Sequence, residues 1–259
     1  MLQFAPAATD HATQPNAVLE PVTHLVQAMR GFICRFTVVL YGYCQVELLA
    51  ASRSHPGGAL GDQPTSRWFM DHVFIQSVAL NLRSMVEDKK ISLGAGAIAH
   101  GLSDPAARAG LCSYLDTCAP ERRTTDAAKR DKYLDYILKY TSLLATRPKL
   151  GETVPPLVAK AELIRRWANK AIAHLTLDHY DVHGNDLRDL VLANAFVATA
   201  IERVMGDAGS DTDLVVCEQM SLTNGKTLFG TSASHAAFMP DVRSILEICL
   251  QTAKEFPFT

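Results

Sequence analysis

From Val18 to Ala51 the apolar residues return every three or four positions: Leu25, Met29, Phe32, Phe36, Val39, Tyr43 and Val46. On a helix of 3.6 residues per turn these side chains form one stripe. A stripe of that length must lie against a long apolar surface, which other helices can supply. Gly31 and Gly42 weaken the pattern locally, each by about 1 kcal/mol relative to Ala. The stretch SRSHPGGALGDQP, with Pro56 and its glycines, ends the helix.

The same periodicity predicts the rest of the fold. A second helix opens at Thr65 or Ser66 and runs to about Val86, with Trp68, Ile75, Ala79, Leu82 and Val86 on one face. A charged turn and a short helix from about Ser92 follow, then another from Pro105 to near Cys118. A further helix lies between Asp126 and Pro148. The next begins after the proline pair at 155–156 and continues through LVAKAELIRRWANKAIAHLTLD. A last bundle helix starts near Asn185 or Asp186 and stops at Gly206 and Gly209. The expected fold is all-α: an antiparallel four-helix-type bundle with short helices inserted between the second and third. Residues 1–16 read as a flexible tail, 17–209 as the bundle, and 210–259 as an extension with a small hairpin and a terminal helix.

Composition excludes several classes. Of 259 residues, 48% are hydrophobic and 20% charged, enough to build a core and too apolar for wholesale disorder. The net charge of -2 gives no global attraction for nucleic acid or anionic membranes, so an RNA site would need a local basic patch. The N-terminal residues lack the basic and unbroken apolar regions of a secretory signal, and FTVVLYGYC is too short to span a membrane. A soluble cytoplasmic protein is expected, with its six cysteines reduced.

The segment RRWANKAIAHLTLD, residues 165–178, carries the most suggestive chemistry. His174 follows Lys170 by four positions and Asn169 by five, so a continuous helix puts His174 and Lys170 on one side. Imidazole can exchange a proton near neutral pH, and a cation one turn away can stabilise a phosphate oxyanion. By spacing alone, a surface or hydrogen-bonded core histidine is the plainer reading. Downstream, His179 and His183 are four apart, but Asp181 and Gly184 suggest a turn; a polar loop is favoured over a metal site. Arg83 and Glu87 read as an i,i+4 ion pair at a helix end. The runs at 121–123 and 129–130 form a local basic cluster. SLGAGA follows no predicted strand and does not read as a dinucleotide site.

NKAIAHLTLD resembles the signature of the HEPN superfamily of helical nucleotide-binding bundles, and the chain is similar within it to the abortive-infection, AbiU-like branch. WFMDHVFIQSVALNLRSMVEDKKISL resembles that branch's second helix. Together the matching segments span about residues 17–206. The resemblance implies a homodimer with the motif helices of two subunits facing each other. It further implies a metal-independent endoribonuclease with no cofactor, acting in phage defence or a toxin–antitoxin setting, with an antitoxin protein as a further partner and no membrane association. On this reading His174 acts on the ribose 2′-hydroxyl and Asn169 is the motif's polar residue.

One position departs from the family pattern. Where the family has Arg, directly before Asn169, this chain has Ala168. Arg166 from the preceding turn, or Arg83 or Lys170, would then have to supply the charge, with Arg165 as a further substrate contact. The alternative is a catalytically inactive bundle that binds a nucleotide, RNA or protein partner.

Overall fold

The computed structural model describes residues 16–52, 64–90, 92–118, 127–169 and 184–205. Among them are seven helices and no strand, so the protein is all-α. The helices are α1 (Asn16–Ser52), α2 (Pro64–Met85), α3 (Ala95–Ser103), α4 (Pro105–Cys118), α5 (Ala127–Ala145), α6 (Pro156–Trp167) and α7 (Gly184–Met205). The expected hairpin and terminal helix beyond residue 209 lie outside the described residues.

The long stripe of α1 is buried from Leu25 through Tyr43, with Val46 only half-buried. It packs against α2, α3, α4 and α7. Gly42 is needed for the first of these contacts: a Cβ there would sit 2.8 Å from the Val78 side chain. The helical weakness of this glycine is thus traded for a close α1–α2 approach.

Burial surrounds α7. Leu187, Leu190, Val191, Ala193, Ala195, Val197, Ala198 and Ile201 are all covered, on several faces at once. Its middle, from Leu190 to Ile201, is covered on most sides, as in a helix at the centre of a fold, and α7 packs against α1, α2, α5 and α6. The Phe196 ring meets Tyr136 and Tyr140 of α5 edge to face, at 5.9 and 4.8 Å between centroids. Asp104 accepts the Ala106 N–H at 2.9 Å and so caps α4, with Pro105 at its first position. Arg108 of α4 reaches Asp135 of α5 at 2.7 Å, and Arg130 of α5 reaches Asp116 of α4 at 2.7 Å.

One sequence expectation changes. The short helix expected from Ser92 starts at Ala95 instead. The Ser92 hydroxyl donates to the Lys89 carbonyl and accepts the Gly94 N–H, which holds a turn there. The buried face of α6 is Leu157, Val158, Ala161, Ile164, Arg165 and Ala168. The bulkier Leu163 and Trp167 are only partly buried. The steps Leu157–Ala161–Ile164–Ala168 are themselves a helical stripe, so small and charged residues disguised it.

Candidate functional site

The C-terminal half of α6 meets the ends of α2 and α5, and Arg165 is the joint. Its side chain is only 3% exposed. Nε and Nη2 donate to the Val86 carbonyl at 3.1 and 2.6 Å, just past the end of α2. Nη1 donates to the Thr146 carbonyl at 3.0 Å and Nη2 to that of Leu144, both at the end of α5. Helix C-termini leave carbonyls without intrahelical partners and carry a partial negative charge. One guanidinium therefore satisfies two helix ends at once. Burial pulls its pKa below the ordinary value, and Glu162, 3.2 Å from Nη1, opposes that pull.

Arg165, expected above as a substrate contact, is placed inside the bundle. Its donors are directed at the protein's own backbone, away from solvent. Arg166, the next residue, is turned outward and half-exposed. Its Nε donates to Glu162 Oε1 at 2.9 Å, so Glu162 bridges the buried and the exposed arginine. Arg166 also lines a cleft of about 390 Å³ between α6 and the 148–154 loop, with Pro148, Leu150, Val154, Leu163 and Glu162.

Ala168 is completely buried. A longer side chain at that position would have no open space to enter. At Ala168 and Asn169 the helix widens into a π-type turn, a feature that often accompanies functional sites. Asn169 is half-buried there. Lys170, His174, Asp178, His179 and His183 lie outside the described residues.

Arg83 stands 3.9 Å from Glu87, the i,i+4 pair expected from its spacing. Glu87 also meets Arg147 at 3.2 Å, and Arg147 Nε meets Asp88 at 2.8 Å. Burial raises the Asp88 pKa, but the hydrogen bond and charge of Arg147 outweigh it and hold the carboxyl below its usual value. Arg147 and Glu162 were not singled out from sequence. The i,i+3 and i,i+4 spacing of Glu162 to Arg165 and Arg166 was the available signal; Arg147 had none, since its partners are about 60 residues away. In the basic cluster, Arg130 is engaged by Asp116, whose hydrogen bond raises the guanidinium pKa. Residues 121–123 lie outside the described residues.

No group of three or more His, Cys, Asp or Glu among the described residues could hold a metal ion. No described helix is long and apolar enough to cross a membrane. Comparison with protein-family models, curated proteins and solved structures finds no match for this chain.

Proposed function

We propose that the protein acts on RNA as a metal-independent endoribonuclease of HEPN type, in phage defence or a toxin–antitoxin setting. The observation that carries this reading is Arg166: half-exposed, on the rim of a cleft, one turn before Asn169 on the helix that leads into NKAIAH. Arg83, Arg147, Lys89 and Lys90 add positive charge near the same end of the bundle, around the close of α2 and α5. In the proposed reaction His174 takes the proton of a ribose 2′-hydroxyl, whose oxygen attacks the adjacent phosphorus. The bond to the 5′-oxygen breaks, that oxygen gains a proton, and a cyclic phosphate remains. Arg166 neutralises charge on the phosphoryl oxygens once it exchanges Glu162 for substrate.

Incubating the purified protein with total RNA in EDTA tests this, with His174→Ala beside wild type. Cleavage by wild type and its loss in a folded variant are expected. Equal cleavage by both would sink the assignment.

A second reading has its own observation. Buried Ala168 offers no charge at the motif position, and Glu162 already partners Arg166. A non-catalytic bundle that binds a nucleotide, RNA or protein partner would show saturable binding without products in the same assay.

A further inference from the structure

The outer side of α5 carries lysines that no acid answers. Lys129, Lys132, Tyr136 and Lys139 recur every three or four positions and so form one strip. The three lysines are exposed. None of them makes an ion pair among the described residues. The acids of α5 lie on its α4 side instead, where Arg108 stands 3.7 Å from Asp131 and 2.7 Å from Asp135. Followed along the helix, the strip reaches half-buried Leu143 without meeting an Asp or Glu. Asp126, three residues before Lys129, lies outside the described residues. On α7, Asp189 is engaged by Lys160, and Glu202 stands about a third of a turn round from Phe196.

Two of the lysines are gathered over aromatic rings. Lys132 Nζ lies 5.8 Å from the Tyr136 centroid, and Lys139 Nζ lies 5.9 Å from that of Tyr140. Both rings meet Phe196 of α7 edge to face. Tyr140 is buried, whereas Tyr136 and Phe196 are half-buried and reach the surface. An ammonium over an exposed ring is held only weakly, so an anion can draw it off.

Residue type and the rings select the anion. A carboxylate is matched by the guanidinium fork, and Arg108 and Arg130 already hold carboxylates of α4 and α5. The lysines left over are point charges, which suit a phosphate. When Lys132 turns to a phosphate, the Tyr136 face that it covered is open to a base. A duplex keeps its bases stacked inside, so only a single strand brings a phosphate and a base face to one strip. We propose that the outer strip of α5 binds a single strand of nucleic acid, with phosphates on Lys129, Lys132 and Lys139 and a base against Tyr136. The strip is about 15 Å long, room for a few nucleotides. It lies on α5, not on the motif helix, and its binding does not depend on whether the protein cleaves.

Fluorescence anisotropy of a labelled oligodeoxythymidylate with the full chain tests the proposal. This strand lacks the 2′-hydroxyl that the proposed cleavage needs, so binding is read apart from the nuclease assignment. Wild type should bind, and more weakly as salt rises. Lys132→Gln/Lys139→Gln should weaken binding about tenfold or more and flatten the salt slope by about 1.4, at ~0.7 per lost phosphate contact. Tyr136→Leu should weaken it about fivefold with the slope kept. Arg30→Gln/Arg35→Gln, which removes the same charge from α1, should leave the slope in place. Circular dichroism confirms that each variant folds. Absence of wild-type binding, or a slope unmoved by the lysine pair, would overturn the proposal. So would an equal loss in both double variants. Polyglutamate that displaces the strand as well as unlabelled strand does would assign the strip to an acidic protein instead.

Discussion

Arg165 shows how much structure can hang on one side chain. Its guanidinium reaches carbonyls contributed by α2 and by the end of α5 from a position on α6. An ammonium group has three donors at one point and cannot span that spread. Each buried carbonyl left without a donor costs about 1–3 kcal/mol. Arg165→Lys is therefore expected to lower stability by about 3 kcal/mol, read as a shift in the urea midpoint with little change in slope. A loss below about 1 kcal/mol would mean that the helix ends find other donors. The neighbouring residue has the opposite character. Arg166 is half-exposed and paired only to Glu162 in the described contacts, so its replacement should leave folding nearly intact.

At the scale of elements, the crossing between the end of α2 and the start of α3 depends on lack of bulk. The Gly96 N–H donates to the Glu87 carbonyl at 2.8 Å, and a Cβ on Gly96 would lie 2.4 Å from the Asp88 carbonyl carbon and oxygen. Helix propensity alone favours Ala over Gly by about 1 kcal/mol. The contact decides the sign, because the obstacle is backbone and cannot rotate aside. Gly96→Ala should destabilise by about 2 kcal/mol, the range of overpacked interiors, and thermal melting would show it as a lower Tm. A higher Tm would mean that the crossing relaxes freely. The run SLGAGA thus has a packing role: its glycines let two backbones touch.

For the whole molecule, the Arg147 pairs with Glu87 and Asp88 join two connections far apart in the chain. Asp88 has its pKa lowered on folding. A carboxyl with a depressed folded pKa contributes stability that is complete above its unfolded value of about 3.9. That contribution disappears as pH falls through the lower folded value. Arg147→Met should lower the Tm at neutral pH and flatten the fall of Tm below about pH 4. Parallel Tm-against-pH curves for wild type and variant would show that the pair adds nothing. Because these side chains are partly exposed, the effect should also shrink in high salt.

The helical periodicity was sufficient to place α1, α2, α4, α5 and α7 to within a few residues, since apolar stripes at 3.6-residue spacing and proline or glycine stops are local properties of the chain. Residue spacing likewise marked Arg83–Glu87 as an ion pair, whereas Arg166 and Asn169 became candidates only through the resemblance. Local signals could not reveal that Arg165 points inward while Arg166 points outward. Two adjacent arginines are equivalent in sequence until the acceptors at residues 86, 144 and 146 arrive by folding. Nor could they show that Ala168, the position that matters most to the resemblance, is buried. A charged side chain becomes interior only when other segments bring it enough oxygen atoms to replace water, and that supply exists only in the tertiary structure.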